Sequence, residues 1–177
     1  MTFREICTEI HGMLFGGFFL LAAYAFFVEV WRMYNGQMHR PYTKLEAVWE
    51  RSYMLAALLS GWLAVLTGTF LIYPWYRAAP PRTGGDLGLY PKFRFLADPH
   101  TAALHTFGME WKEHVGFIAP IAMTAAVYIW LRYRGRLQGQ RVLRNGVLLF
   151  AGAALFATAV AAVVGALLNK AAPVQGG

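Results

Sequence analysis

Four long apolar runs limit the folds open to this 177-residue chain; they extend over residues 12–31, 54–74, 115–131 and 147–168. An α-helix needs about 20 residues to cross a hydrocarbon core of about 30 Å, and each run is close to that length. Strands are excluded because no run alternates polar with apolar residues, and an unclosed sheet would leave its backbone unsatisfied in lipid. We therefore predict an all-α fold, an integral membrane four-helix bundle.

The composition also favours a lipid environment. Hydrophobic residues make up 58% of the chain and aromatic residues 16%, which is more than a soluble domain needs to fill one core. The first run is longer than the apolar core of a signal peptide and no small-residue cleavage site follows it, so we expect it to remain. Because the sequence has no repeat of fixed period, we predict that residues 1–177 form a single membrane domain.

Basic residues predict the orientation. Nine of the 16 Lys and Arg residues lie in two loops, with Arg32, Arg40, Lys44 and Arg51 in one and Arg132, Arg134, Arg136, Arg141 and Arg144 in the other. By the positive-inside rule these loops are cytoplasmic, so both termini and residues 75–114 are expected in the periplasm of a bacterium, outside its inner membrane. Topology and contact with anionic lipid headgroups account for the net charge of +7 without nucleic acid.

The predicted periplasmic segment 75–114 opens with a loop that contains Pro80-Pro81 and Gly84-Gly85. Asp98-Pro99 then resembles a helix cap followed by proline in the first turn. We therefore expect the third helix to start near Pro99 and to extend into the periplasm before it enters the membrane.

Two histidines lie where apolar runs meet the predicted outer surface. His11 precedes the first run by one residue and His114 precedes the third by one residue, so both imidazoles are expected at the same depth. A bis-histidine haem needs this arrangement, because its two axial ligands come from facing helices. Ionisable groups in or near membrane helices are often functional, although interfacial histidines also occur without such a role.

With these histidines the chain resembles the four-helix membrane b-type cytochromes, which hold haem between helices by histidines near the helix ends. The resemblance covers the architecture and the histidine placement, and it implies haem b with His11 and His114 as iron ligands. Gly12 and Gly16 would then leave a notch for the macrocycle beside His11. Their alternative role is close helix packing, as predicted for the small residues Ala153, Ala157, Ala161 and Gly165 and the parallel row Ala154, Thr158, Ala162 and Ala166 in the fourth run.

The remaining histidines have separate interpretations. His105 and His114 are nine residues apart, which in an α-helix places them on opposite faces and about 13.5 Å apart along the axis. His105, with His100 and Met109 nearby, would be available to a second haem; alternatively, His100 and His105 are ordinary solvated or hydrogen-bonded residues. His39, in a basic loop, is expected to have no such role.

Two other kinds of chemistry compete for these positions. Cys7 and His11, and likewise Glu110 and His114, have the four-residue spacing that would let them converge on zinc, copper or iron. For quinone chemistry, Glu110 and Glu113 would accept protons from a quinol near the haem. The alternative for these two glutamates is a solvated helix face of mixed charge.

Two functional hypotheses follow. The first is a membrane haem b electron-transfer protein that passes electrons between the quinone pool and a periplasmic cytochrome or other redox subunit, with quinol oxidation as its enzymatic form. The second is a cofactor-free membrane anchor or assembly subunit of a larger complex. The chain has no nucleotide-binding glycine pattern, serine nucleophile set or haem-attachment cysteine pair, so any redox chemistry would belong to a cofactor.

The predicted orientation can be tested by labelling single-cysteine variants in which Cys7 has been replaced. A cysteine at position 39 or 138 should be inaccessible to an impermeant reagent added outside, and one at position 88 should react. The opposite labelling pattern would contradict the periplasmic placement of His11 and His114.

Overall fold

The computed structural model describes residues 2–37 and 43–172, and every regular element in these ranges is helical. Within them, four helices are long and apolar enough to cross a membrane: Phe3–Tyr34, Lys44–Arg77, Leu104–Leu137 and Arg141–Ala171. We refer to these as the first to fourth helices. The prediction of an all-α fold is confirmed for the described residues, and the four helices indicate a multi-pass membrane protein. His39 lies outside the described residues.

All four helices are longer than the apolar runs that predicted them. They contain 32, 34, 34 and 31 residues, so each exceeds the roughly 20 residues that the hydrocarbon core requires. The third helix starts at Leu104, a few residues after Pro99. Its first turns pack beside the fourth helix, since a Cβ atom on Gly108 would lie 3.0 Å from Val164. The predicted extension of the third helix is therefore a packed part of the bundle.

Capping boxes fix the starts of the first two helices. The Thr2 hydroxyl accepts a hydrogen bond from the Glu5 backbone N–H at 3.3 Å, and the Glu5 carboxylate accepts one from the Thr2 N–H at 2.8 Å. Thr43 and Glu46 form the same reciprocal pair. Such caps satisfy backbone donors that the first helical turn leaves free, and an N-cap typically contributes about 1 kcal/mol to stability.

Three of the helices contain π-helical stretches at one end of the bundle. They cover Ile10–Gly17 in the first helix, Gly68–Ile72 in the second and Leu104–Met109 in the third. We call this the upper end, where the first and third helices begin and the second and fourth end. π-Helical turns are rare and occur frequently at functional sites.

The other helical segments are α-helices apart from one 3₁₀ turn. The α-helical parts are Phe3–Glu9, Phe18–Tyr34, Lys44–Thr67, Tyr73–Arg77, Pro91–Ala97, Glu110–Val115, Ile118–Leu137 and Arg141–Ala171, and the 3₁₀ turn is Leu87–Leu89. A turn at residues 116–117 interrupts the third helix. A non-helical residue, Tyr133, with φ −119° and ψ 16°, kinks it near its other end.

The main hydrophobic core fills the middle and the lower part of the bundle. At its centre the rings of Phe26 and Trp130 meet edge to face, with centroids 5.6 Å apart, and both side chains are buried. The Trp130 indole N–H donates to Glu50 at 2.9 Å, and Arg134 pairs with the same carboxylate. This polar cluster joins the second and third helices at the lower end. A second, smaller cluster at the upper end consists of Tyr76, Phe95, Met109, Leu168 and Ala172.

Small residues of the fourth helix have two roles along its length. In its middle turns Ala154 and Ala157 are buried in helix contacts, as the rows of small residues predict, and Thr158 is buried at the edge of a cavity. Further up, Ala161, Ala162, Gly165 and Ala166 instead line a cavity. The small residues thus extend along the whole face of the fourth helix, but this face contacts neighbouring helices only in its middle part.

Substitution of Ala157 by leucine should destabilise the bundle, because the side chain is only 2% exposed and has no room for three more carbon atoms. Overpacking of this kind typically costs about 1–3 kcal/mol. Thermal unfolding in detergent should show a lower Tm for Ala157→Leu. Phe156→Leu is the control, because residue 156 is 66% exposed on the outer surface; an unchanged Tm for both variants would contradict the packing.

Candidate cofactor cavity

A cavity of about 810 Å³ lies among all four helices at the upper end. All five members of the smaller hydrophobic cluster line it, and Phe19 and Ala119 of the main core line it from the other side. Cofactor and small-molecule sites typically measure about 300–1,000 Å³ and are mostly apolar with a few polar groups. The cavity has the size and position of such a site.

Small residues keep this space open. Gly12 and Gly16, which the sequence suggested as a notch beside His11, both line the cavity. A Cβ atom on Gly12 would meet no atom within 4 Å, so this glycine is not needed for helix contact. At Gly16 the nearest atom is the His11 carbonyl oxygen, at 3.3 Å. For Gly12, at least, the notch accounts for the residue better than close packing does.

His11 is half-buried and its ring is held by the second helix. Its Nδ1 atom lies 3.2 Å from the Thr67 hydroxyl oxygen. The single hydroxyl proton of Thr67 is donated to the Leu63 carbonyl at 2.6 Å, so the Thr67 oxygen accepts and His11 Nδ1–H donates. The neutral ring therefore has its free lone pair on Nε2. Histidine metal ligands are oriented in this way, with the other ring nitrogen donating to a neighbouring acceptor.

Gly68 makes room for this ring. A Cβ atom at position 68 would lie 2.7 Å from Cε1 of His11 and 3.4 Å from each ring nitrogen. Gly68 is also the first residue of the π-helical stretch in the second helix. Thr67 and Gly68 thus position His11 together. Neither could be predicted from the sequence, because their proximity to residue 11 depends on how two helices pack.

His114 lines the same cavity from the third helix, but its side chain is 73% exposed. Its Nδ1 atom lies 2.8 Å from the Glu110 carbonyl oxygen, and a carbonyl can only accept, so Nδ1–H is the donor. As in His11, Nε2 then has the free lone pair. The structure brings the two predicted ligands to one cavity, one enclosed and the other near its margin.

Of the two glutamates predicted to accept protons, only Glu113 lines the cavity. Tyr73 donates a hydrogen bond to its carboxylate at 2.5 Å, and Arg77 donates to the Tyr73 hydroxyl at 2.9 Å. Glu110 is exposed, with one carboxylate oxygen 3.8 Å from His114 Nδ1. A polar chain therefore links the cavity to the end of the second helix through Glu113 alone.

The residues predicted for a second haem are not gathered in one place. The Nδ1 atom of His105 lies 2.8 Å from the Tyr76 hydroxyl, in hydrogen-bond contact, and the two rings also touch. Met109 is buried and lines the cavity, whereas His105 is absent from the cavity wall. His100 is exposed in the turn before the third helix, where its backbone N–H donates to Asp98. His105 thus has a hydrogen-bonded structural position and His100 a solvated one.

A small metal ion would need several ligands close together. Over residues 2–37 and 43–172, no three His, Cys, Asp or Glu side chains form a group that could hold a metal ion. Cys7 is half-buried and does not line the cavity, so it does not join His11 there. The geometry gives the zinc, copper or iron alternative no support.

A haem fits the donor set and the space better than a bare ion does. Two imidazoles with free Nε2 atoms border one cavity, and that cavity is lined largely by apolar side chains and by glycines without Cβ atoms. Imidazole is a common axial ligand of haem iron, and an apolar wall suits a large flat macrocycle. No protein-family model, curated protein or solved structure matches this chain.

Substitution of Gly68 by alanine should displace the His11 ring, because the added methyl group would overlap Cε1. Loss of the hydrogen bond to Thr67 should remove about 1 kcal/mol of stability. Nitrogen NMR of protein with ¹⁵N-labelled histidine should show altered His11 ring signals in Gly68→Ala. Gly12→Ala is the matched control, since open space surrounds that position; unchanged His11 signals in both variants would contradict the contact.

Proposed function

We propose that this chain is a membrane haem b electron-transfer protein that passes electrons between the quinone pool and a periplasmic redox partner. Its location would be a bacterial inner membrane, with both termini and the cavity on the periplasmic side. His11 and His114 would be the axial ligands of the iron. The haem supplies reversible one-electron chemistry when bound, and the protein supplies its position and surroundings.

The observation that carries this proposal is that both histidines border one cavity with Nδ1 engaged and Nε2 free. This is the arrangement that an imidazole ligand of haem iron requires. The hydrogen-bond acceptors of the two rings also differ, a threonine hydroxyl from another helix and a backbone carbonyl of the same helix. A local helix motif therefore does not explain both.

The surrounding residues have distinct roles in this proposal. Phe19 and Ala119 close the cavity towards the main core, and Tyr76 and Phe95 cover it at the upper end, so a macrocycle would be shielded from water on those two sides. The exposed position of His114 leaves that side of the cavity accessible to a redox partner. A haem edge close to the protein surface would favour electron exchange with another protein.

Glu113 supports the quinone part of the proposal. Oxidation of a quinol releases protons as well as electrons, and a carboxylate at the cavity wall can accept a proton. Tyr73 connects this carboxylate to Arg77 at the end of the second helix, which gives a polar route away from the cavity. Glu110, exposed on the outside of the helix, has no part in this route.

The proposal predicts the spectra of purified variants. Protein produced in a haem-sufficient host should show the sharp reduced bands of a bis-histidine haem. His11→Ala or His114→Ala removes one of two strong iron ligands, so each variant should lose haem or become high-spin. His39→Ala is the control and should retain the original spectrum.

Two results would contradict the proposal in different ways. Low-spin haem at full occupancy in both His11→Ala and His114→Ala would exclude the pair and direct attention to His100, His105 and Met109. Haem-free protein from a haem-sufficient host would favour the cofactor-free anchor or assembly subunit instead. The pyridine haemochrome assay measures the haem content in each case.

A further inference from the structure

Lys112 occupies an unusual position in the cavity wall. Its side chain is half-buried and borders the cavity. Gly165 of the fourth helix makes room for it, since a Cβ atom there would lie 3.0 Å from the Lys112 Nζ atom. The ammonium group therefore lies between the third and fourth helices and not in bulk water.

This ammonium has no hydrogen-bond or ion-pair partner among the described residues. The adjacent Glu113 carboxylate is bonded to Tyr73. An ammonium beside a largely apolar cavity without an anion is costly, and charged residues in membrane helices are normally paired or functional. Packing does not explain Lys112, because methionine or leucine would fill the same space without that cost.

The location of the Lys112 ammonium indicates what kind of group could pair with it. Lys112 and His11 line the same cavity. The other lysine on the wall, Lys170, is exposed near the end of the fourth helix, where water weakens its field. A ligand that reaches His11 would therefore bring an anionic group to Lys112 more effectively than to Lys170.

We infer that Lys112 is the counter-ion of a carboxylate on the ligand in this cavity. This inference rests on the proposed function, in which the ligand is haem b and the carboxylate is one of its propionates. Lys112 would thus hold this propionate beside the fourth helix, while His11 and His114 would hold the iron. Its role is to position the ligand, because it does not contact the iron.

Binding of two forms of the macrocycle tests this role. Full-length protein from a haem-deficient host is titrated in detergent with haem and with haem whose two propionates are methyl esters, and absorbance gives both Kd values. The unsubstituted protein should bind haem about tenfold or more tightly than the ester, the usual strength of a hydrogen bond to a charged group. Lys112→Met should reduce this ratio to about one, and Lys112→Arg should retain most of it.

Lys44→Met is the matched control, because it removes the same charge from an exposed position at the lower end. It should leave the ratio unchanged. Equal affinities of the unsubstituted protein for haem and ester would overturn the Lys112 assignment and leave the histidine ligands intact. The same ratio in Lys112→Met as in the unsubstituted protein would also overturn it, whereas failure of both macrocycles to bind would overturn the proposed function itself.

Discussion

Close packing along the small-residue face of the fourth helix is the constraint on which the bundle depends. Lipid chains are as apolar as the side chains that meet them, so helices gain little in a membrane from burying apolar surface and must gain from van der Waals contact. Ala154 and Ala157 provide that contact in the middle of the bundle, where both are buried. Further up, Ala161 and Ala162 line the cavity instead. The cavity exists because small residues continue where the helices around them no longer close the gap.

The two ends of the bundle consequently have different properties. At the lower end Glu50 joins the second and third helices through Trp130 and Arg134, and large aromatic side chains fill the interior. At the upper end three π-helical stretches, several glycines and a set of ionisable side chains surround a cavity. His11 has a partner there in Thr67. Half-buried Lys112 has no hydrogen-bond or ion-pair partner among the described residues, and this is the type of feature that a bound ligand would explain.

The sequence predicted most of the fold because its signal is local. A run of about 20 apolar residues specifies a membrane helix without knowledge of its neighbours, and all four runs lie within helices of the structure. The prediction that His11 and His114 approach one site also depended only on their positions at helix ends. Thr67 and Gly68 were missed because their relation to the cavity depends on helix rotation, which the π-helical turns change. Glu110 was predicted as a proton acceptor together with Glu113 because the two are close in sequence. In the structure only Glu113 lines the cavity, and Glu110 is exposed.

The π-helical stretch Ile10–Gly17 also affects how this chain could change in length. A turn closed by a hydrogen bond five residues back contains one more residue than an α-helical turn. Deletion of one residue from this stretch would return a π-helical turn to α-helical winding with little net rotation of the preceding segment, whereas the same deletion in a regular α-helix rotates that segment by about 100° about the helix axis. Phe3 and Arg4, which contact the Trp75 ring, would therefore keep nearly the same direction. In evolutionary terms, this part of the first helix could absorb a single-residue change in length that the regular helices lower in the bundle could not.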